Sequence, residues 1–409
     1  MSLQRIAITG LGTINGAAGT IPAFQEAVLQ GKSGIAALDL FDVSQFPARI
    51  GCQVKEYDPA DYFAQRQIPR LSRTDQLALI AAREAVAMSG VTGCYDPYQI
   101  GVCIGGGVGG MLPAESWLQG ELSGRPASPG LLRTLLPDCS STAIAREHGF
   151  AGYQGSITTA CSSSGTAIGW AADLIRTGRQ QAMLCGGADA LTMLTFAGFN
   201  ALKVVDPNPC APFSAGRQGL SLGEAAAFLV LEDEQAARRR GAQIYGYLLG
   251  YALLGEAYHM TAPEPGGLSA ARVMKAALTA ANIKAEQVGW VNAHGTGTPL
   301  NDVAESEAIK LAFGERAQQV PLISTKAITG HCLGAAGAVE AVATVLALNA
   351  GIIPQTLHFR GVDPACDLDY GHAGSRITDT RIALSNSFAF GGNVTSIVLG
   401  SAALAQEVC

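Results

Sequence analysis

Four short apolar runs, each ending at a cluster of glycines, constrain the fold of this chain more than any other feature. The runs are Ile6–Thr9, Ile100–Ile104, Ala182–Cys185 and Val288–Asn292. Runs that are apolar on both faces are typical of strands buried inside a sheet. Helical patterns lie between them, at Asp75–Met88 after a possible Thr74 cap and at Ala270–Ala281. The alternation predicts an α/β fold with a mostly parallel sheet.

The order of these elements occurs twice along the chain. In each half a helix precedes a strand and a Gly-rich loop, and a second strand then leads through a turn into a helix of small residues. The second strands and their helices are Gly155–Ala160 before Cys161, and Pro321–Thr325 before Gly334–Leu348. We therefore predict two related halves, residues 1–245 and 246–409, packed as one body.

Composition excludes several classes of protein. The 409 residues carry a net charge of −6, which argues against nucleic acid as the main partner. The N-terminus has no secretory signal pattern, and the ten cysteines include no Cys-x-x-Cys pair, so we expect a reduced cytoplasmic chain without zinc or disulfides. The weakly polar stretch Leu333–Pro354 contains Glu340, which favours a buried helix over a membrane span.

Cys161 stands where an apolar strand is predicted to turn into a helix of small residues, in Thr-Ala-Cys161-Ser-Ser. A thiol at a helix N-terminus meets free N–H groups and the positive end of the dipole, which lower its pKa. The same N–H groups can hold an oxyanion. The alternative is a buried structural cysteine, as most lone cysteines are.

Two of the six histidines follow predicted strands in the second half. His294 lies in Asn-Ala-His294-Gly-Thr-Gly, and His331 lies in Thr-Gly-His331 before the second small-residue helix. Ligands of open α/β sheets bind at the carboxyl ends of strands, so these imidazoles and Cys161 can share one pocket. They could bind a metal or donate hydrogen bonds to a substrate oxygen. Because only two histidines are available and no carboxylate pair flanks them, a zinc site is the less favoured interpretation.

Three further sequence features each allow two interpretations. Lys326 could stabilise negative charge in the pocket or form a salt bridge, for example with Glu340. Phe388 and Phe390, beside a glycine pair, could form a mobile gate or a packed turn. Gly10-Leu-Gly imitates a dinucleotide fingerprint, but its spacing is wrong and no acidic strand end follows, so we predict no nucleotide cofactor.

Taken together, these motifs resemble those of the elongating β-ketoacyl-acyl-carrier-protein synthases, condensing enzymes of the thiolase superfamily. The resemblance covers nearly the whole chain, and its motifs are specific in combination. They are Thr-Ala-Cys161-Ser-Ser, Asn-Ala-His294-Gly-Thr-Gly-Thr-Pro, Ser-Thr-Lys326 with Thr-Gly-His331, Gly-Ala-Ala-Gly-Ala-Val-Glu340, and Asn386-Ser-Phe-Ala-Phe390-Gly-Gly.

The resemblance implies a duplicated αβαβα fold, a homodimer or a heterodimer with a chain-length-factor-like subunit, and no cofactor beyond the phosphopantetheine of an acyl carrier protein. It implies that Cys161 carries the acyl chain as a thioester, while His294 and His331 stabilise the enolate from malonyl-carrier protein. It also implies an oxyanion hole from the N–H groups of Cys161 and Phe390, a gate at Phe390, and orientation of the site by Lys326 through Glu340.

The sequence departs from the family pattern at several positions. Ala389 replaces a glycine of the gate, Ser214-Ala215 replaces Asp-Lys, Ala225 replaces a glycine, and Glu256 stands where Asp is common. These changes favour a specialised type II polyketide or polyene synthase over the housekeeping fatty-acid enzyme.

Four alternatives differ from this prediction in their catalytic residues. An initiating synthase would have Asn in place of His331. A thiolase acting on coenzyme A thioesters would carry a second cysteine in the turn at Phe390–Asn393, which has none. A chain-length factor would have lost the nucleophile. A cysteine hydrolase would need one histidine with an orienting Asn or Asp, rather than two histidines.

The carrier protein is acidic in this family, so we expect a basic docking surface near the pocket mouth. The candidates are Arg66, Arg70, Arg73, Arg125 and Lys203. Ordinary surface arginines at a helix entry are the alternative.

Overall fold

The computed structural model describes residues 5–55 and 57–404, which form fourteen strands and eleven α-helices. The strands are β1 (Ile6–Asn15), β2 (Ala36–Ala37), β3 (Ile50–Gly51), β4 (Ile100–Gly105), β5 (Gln154–Ile157), β6 (Ala182–Asp189), β7 (Ala225–Asp233), β8 (Gly246–Gly255), β9 (Trp290–Asn292), β10 (Leu322–Ile323), β11 (Ile352–Ile353), β12 (Arg376–Ile377), β13 (Ile382–Phe388) and β14 (Asn393–Ser401). The helices are α1 (Ile21–Gln30), α2 (Arg73–Ser89), α3 (Met111–Leu122), α4 (Asp138–His148), α5 (Ser163–Arg176), α6 (Met193–Ala201), α7 (Glu234–Arg239), α8 (Leu268–Ala281), α9 (Pro299–Phe313), α10 (Lys326–Thr329) and α11 (Ala336–Ala350).

Ten strands form one sheet whose strand order repeats about its centre. The order is β10-β9-β13-β14-β8-β1-β7-β6-β4-β5. Read outward from the centre, β1-β7-β6-β4-β5 on one side corresponds to β8-β14-β13-β9-β10 on the other. The two sets meet where β1 pairs antiparallel with the start of β8. The division of the chain at 245/246 remains a prediction, and β8 begins at Gly246.

The expectation of a mostly parallel sheet is wrong, because the central pairs are antiparallel. Only the outer pairs are parallel: β10 with β9, β9 with β13, β6 with β4, and β4 with β5. The pairs from β13 through β8, β1 and β7 to β6 are antiparallel. Helices cover both faces of these strands, so antiparallel strands such as β7 have the continuous apolar sequence that is more typical of parallel ones.

Helices pack on both sides of each half of the sheet and also between the halves. Helix α2 covers β1, β7 and β6 from outside, and α8 covers β8 and β14. Helices α5 and α11 contact each other and strands of both halves, so they form the middle layer. They approach closely because their contact consists of small residues, including Gly165 against Gly337. This is the predicted five-layer αβαβα fold.

Within residues 5–55 and 57–404, one helix is long and apolar enough to cross a membrane by length and composition. It spans Leu333–Ala350, and 89% of that window is buried inside the protein. Every residue of α11 from Ala336 to Leu348 is buried, as expected for a helix in the middle layer.

The structure corrects several predicted element bounds. Helix α2 starts at Arg73, because Ser72 rather than Thr74 is its cap and forms a reciprocal capping box with Asp75. Strand β5 ends at Ile157, three residues before the predicted end. Strand β1 continues through Gly10 and Gly12 to Asn15, so these glycines lie inside a strand rather than in a cofactor loop.

Gly12 allows β1 to pack directly against α2. A Cβ atom at this position would clash with the Ala81 carbonyl oxygen of the helix. We therefore expect Gly12→Ala to lower the free energy of unfolding by about 1–3 kcal/mol, the usual range for overpacking.

Gly198→Ala is the matched control, since Gly198 lies in α6 with nothing within 4 Å of the added methyl group. Urea unfolding of the three proteins measures the effect. A Gly12→Ala protein as stable as the wild type would contradict the close packing.

Candidate active site

Cys161 lies in a short turn between β5 and α5. A 3-10 turn spans Ala160–Ser162, and Ala160 has φ of 49°, in the left-handed region that side chains rarely adopt. The turn leaves Cys161 only 7% exposed, at the end of a cavity. The predicted strand-to-helix turn is confirmed, with the nucleophile candidate at its tip.

The cavity has a volume of about 220 Å³ and brings residues of both halves together. Cys161 comes from the first half, and His294, His331, Phe388 and Phe390 come from the second. The shared pocket predicted for the thiol and the two imidazoles is therefore present. In residues 5–55 and 57–404, no group of three or more His, Cys, Asp or Glu side chains could hold a metal ion.

The ring of His294 is oriented by a buried lysine. The Nζ atom of Lys326 lies 3.3 Å from His294 Nδ1. Because an ammonium can only donate, Nδ1 is the acceptor and the imidazole proton resides on Nε2. Glu305 fixes the backbone beneath the ring, accepting the N–H groups of His294 at 2.9 Å and Gly295 at 2.8 Å.

His331 has the same tautomer through a different partner. Its Nδ1 accepts the main-chain N–H of Leu333 at 3.0 Å, which leaves the proton on Nε2. The main-chain N–H of His331 donates to the Ser221 carbonyl at 2.7 Å. The two imidazole rings lie nearly perpendicular, with their centroids 5.5 Å apart. The pocket therefore contains two imidazoles that each have an N–H to donate.

Lys326 and Glu340 form an ion pair with both side chains buried. Burial raises the pKa of Glu340 to about 7, although the charge of Lys326 opposes this shift. The salt bridge with Glu340, one of the two predicted roles of Lys326, is therefore present. The contact of the same ammonium with His294 was not predicted.

Burial also determines the protonation of the thiol and the two imidazoles. It lowers the pKa of His294 and His331 well below 6.5, and the charge of Lys326 lowers both further. It raises the pKa of the Cys161 thiol to about 11, although Lys326 and the N–H of Phe390 act in the opposite direction. The expected lowering of the thiol pKa is therefore wrong, because the cost of burying a thiolate dominates.

Phe390 has a polar and an apolar contact at the cavity. Its main-chain N–H bonds to the Cys161 sulfur, and its ring stacks on Phe199 with centroids 5.8 Å apart. The two glycines after it have φ of 85° and 75°. The N–H of Gly391 donates to the Met260 carbonyl at 2.7 Å, joining this turn to the rim of the pocket.

The predicted docking residues do not all form a free surface. Arg73 donates to both carboxylate oxygens of Glu224, at 2.6 and 2.9 Å, and to the Val54 carbonyl at 2.8 Å. Its side chain is only 16% exposed. Arg73 thus stabilises the fold, in contrast to the docking role predicted for it.

The other four docking candidates, Arg66, Arg70, Arg125 and Lys203, are exposed. Lys203 directly precedes Val204, which lines the cavity. Arg70 instead lines a separate cleft with Arg133 and Arg146. Lys203 is therefore the candidate that the chain places beside the pocket mouth.

Two buried carboxylates near the site were missed by the sequence reasoning. Glu305 lies beneath His294, and Asp189 accepts main-chain N–H groups from Gly107, Val108 and Gly334. Asp189 ends strand β6, whose apolar run is evident in the sequence, but an acid at a strand end gives no sign of what it binds.

A duplicated αβαβα fold with a thiol and two imidazoles at the junction of its halves defines a condensing enzyme of the thiolase type. The family profiles agree: "Beta-ketoacyl synthase, N-terminal domain" matches residues 3–237, and "Beta-ketoacyl synthase, C-terminal domain" matches residues 245–360. The chain belongs to the β-ketoacyl synthase family.

Its similarity to characterised members extends over nearly the full length. It is 38% identical over 403 residues to 3-oxoacyl-[acyl-carrier-protein] synthase 2 of Synechocystis sp., covering 96% of this chain and 97% of that protein. It superposes on the ishigamide ketosynthase/chain length factor with a TM-score of 0.93 and 34% identity, covering 98% and 100% of the two chains. A type II polyketide synthase acyl-carrier protein in complex with its hexaketide-bound ketosynthase gives a TM-score of 0.90 and 30% identity, with coverage of 98% and 100%.

The lowered pKa of His331 predicts a stability effect with a defined sign. The unfolded chain protonates this imidazole near pH 6.5, whereas the folded chain does not, so stability present above about pH 6.5 is lost below it. The difference in unfolding free energy between wild type and His331→Asn should thus become less favourable to the wild type by up to about 1.4 kcal/mol per pH unit.

Urea unfolding between about pH 7 and pH 5 measures this difference. Comparison with the Asn variant cancels the opposite contributions of Asp189 and Glu340, whose pKa values are raised to about 6 and about 7. A difference that does not change with pH would contradict a buried neutral His331.

Proposed function

We propose that this chain condenses an acyl group held on Cys161 with malonyl-acyl carrier protein to give a 3-oxoacyl product two carbons longer. The observation that supports this most strongly is the pair of neutral imidazoles, both with the proton on Nε2, in one cavity with the thiol. Two neutral N–H donors suit an oxygen that becomes negative during the reaction.

The first step is transfer of the acyl chain to Cys161. The sulfur attacks the thioester carbonyl of the acyl-carrier protein, and the carrier thiolate leaves, taking up the proton that the cysteine has lost. The N–H groups of Cys161 and Phe390 are the donors for the tetrahedral oxyanion. The contact of the Phe390 N–H with the Cys161 sulfur supports this role.

The second step uses the two imidazoles. Malonyl-carrier protein loses carbon dioxide, and its thioester oxygen becomes an enolate that accepts hydrogen bonds from His294 and His331. The enolate carbon attacks the acyl-Cys161 carbonyl, the carbon–sulfur bond to Cys161 breaks, and the cysteine thiolate regains a proton from solvent. Neutral imidazoles can do this without exchanging a proton with the substrate.

Lys326 supports both steps through its charge. Its ammonium keeps His294 neutral, fixes the tautomer of that ring, and makes a thiolate at Cys161 less unfavourable. Glu340 balances the charge and holds the ammonium in place. Phe388, whose ring lies 5.7 Å from that of His294, supports the imidazole from the side.

The partners we propose are an acyl carrier protein and a second subunit. The solved relatives include a ketosynthase/chain length factor and a carrier-protein complex. In the part of the chain that the structure describes, strand β5 is the edge strand of the sheet, so it can pair with a second copy or a chain-length-factor-like subunit. The departures at Ala389 and Glu256 favour a type II polyketide or polyene pathway. Nine free cysteines in the described part of the chain favour the reducing cytoplasm.

Cys161→Ala separates the two steps. It should abolish condensation, because no thiol remains to hold the acyl chain, while malonyl-carrier decarboxylation continues because both imidazoles remain. Carbon dioxide release and product formation are measured on the same sample. Condensation by the variant would show that another group is the nucleophile.

His294→Ala and His331→Ala should each lower malonyl decarboxylation by a factor of about 10² or more, as is typical for loss of one oxyanion donor. Acyl transfer to Cys161 should be less affected. If both variants release carbon dioxide at the wild-type rate, the imidazoles do not act on the enolate.

Lys203→Glu should raise the KM for carrier-bound substrate and leave a small pantetheine thioester unaffected, because a rim charge mainly steers an acidic partner. Lys275→Glu is the control, since Lys275 is exposed on α8 and does not line the cavity. Equal losses with both substrates would mean that Lys203 supports the pocket rather than docking.

A further inference from the structure

The second half of the fold contains a turn like the one that presents Cys161. A 3-10 turn spans Leu333–Ala335 before α11, just as Ala160–Ser162 precedes α5. Leu333 has φ of 51° and Ala160 has φ of 49°. Gly334 therefore occupies in the second turn the position that Cys161 occupies in the first, and its N–H corresponds to the N–H of Cys161.

The carboxylate of Asp189 fills this second turn. Its Oδ2 accepts the Gly334 N–H at 2.7 Å and the Gly107 N–H at 3.0 Å, and its Oδ1 accepts the Val108 N–H at 2.8 Å. A Cβ atom at Gly334 would lie 2.7 Å from Oδ2. Three main-chain N–H groups from two loops thus surround one carboxylate, an arrangement that binds anions.

Asp189 is fully buried, and the donors that it binds in the described chain are main-chain N–H groups. Burial raises its pKa to about 6, with these N–H groups acting in the opposite direction, so it is ionised at neutral pH. A buried charge of this kind ties together the loops that compensate it.

We call Asp189 and the three N–H groups that it accepts, those of Gly107, Val108 and Gly334, the carboxylate clamp. This clamp is adjacent to the backbone that orients His331. Leu333, whose N–H fixes Nδ1 of His331, directly precedes Gly334. The positive φ of Leu333 is a strained conformation that persists only where its surroundings enforce it. Val108, on the other loop of the clamp, packs in one cluster with Leu333. Loss of the carboxylate would release this turn and let the imidazole rotate.

We propose that Asp189 is a positioning residue: its carboxylate fills an anion-binding turn that corresponds to the oxyanion hole of the first half, and so holds His331 in its productive orientation. The inference rests on the proposed function of His331 in malonyl decarboxylation. In a variant that lacks the Asp189 carboxylate, the turn should bind a small free carboxylate in its place.

Asp189→Ala tests this by chemical rescue. We expect kcat for malonyl-carrier decarboxylation to fall about 10-fold to 100-fold, the size of effect that a displaced catalytic group produces, with KM unchanged. Added formate should restore much of the lost rate, because it supplies the missing carboxylate. Formamide, which has the same size but no charge, should not. Neither additive should accelerate the wild type.

Glu84→Ala is the matched control variant. Glu84 also accepts two main-chain N–H groups, those of Thr13 at 2.9 Å and Ile21 at 2.7 Å, but neither donor belongs to the turn before α11. Its decarboxylation rate should remain that of the wild type and not respond to formate.

Asp189→Asn covers the case in which the Ala variant does not fold. The NH2 group of the asparagine cannot accept hydrogen bonds from the main-chain N–H groups that the second carboxylate oxygen now accepts. We therefore expect kcat to fall while KM is unchanged. A wild-type kcat in this variant, or an Ala variant that formate restores no better than formamide, would overturn the proposal. If the wild type itself does not decarboxylate malonyl-carrier protein, the proposed function fails instead.

Discussion

One buried cation, the ammonium of Lys326, sets the electrostatics of the site on which the other groups depend. Glu340 holds it from α11, so the charge is compensated inside the middle layer of the fold. The same ammonium contacts His294 Nδ1, which fixes the ring proton on Nε2, and its field lowers the pKa of both imidazoles. It also opposes the effect of burial on the Cys161 thiol. A lone charge in this position would be costly, and breaking a buried pair typically costs about 3–5 kcal/mol. The pair thus stabilises the core only when both partners are present, and the Lys326 ammonium shifts the pKa values of the imidazoles and the thiol in the pocket.

The duplication of the fold explains why these groups meet. The helices that follow Cys161 and His331 pack together as the middle layer, so the turns before them lie at one junction. Both turns place an N–H at a helix start after a residue with positive φ. In the first half a thiol stands there, and in the second a glycine whose N–H is bound by Asp189. The two turns therefore differ in what they present: the first presents the Cys161 thiol to the cavity, and the second holds the Asp189 carboxylate beside the backbone that contacts His331.

The sequence predicted the layered fold and the pocket that Cys161 shares with His294 and His331, because apolar runs that end in glycine and short motifs mark strand ends and turns. It did not predict the antiparallel centre of the sheet, since strands covered on both faces look alike whatever their direction. It also misjudged the thiol, whose pKa depends on how deeply the folded cavity buries it. Arg73 was read as a surface charge because its partner, Glu224, is 151 residues away in the chain. The supports of the imidazoles, Glu305 and Asp189, act through backbone N–H groups, which leave no pattern in the sequence.

The central claim, that Cys161 carries the growing chain and passes it to a malonyl-derived enolate, is tested most directly by mass spectrometry of the wild-type protein. Acyl-carrier protein is added first, and the mass increase is located by peptide mapping. Malonyl-carrier protein follows. The account predicts one acyl group on the peptide that contains Cys161, and its transfer to the carrier as a 3-oxoacyl chain two carbons longer. An acyl group on another residue, or one that malonyl-carrier protein does not remove, would contradict it.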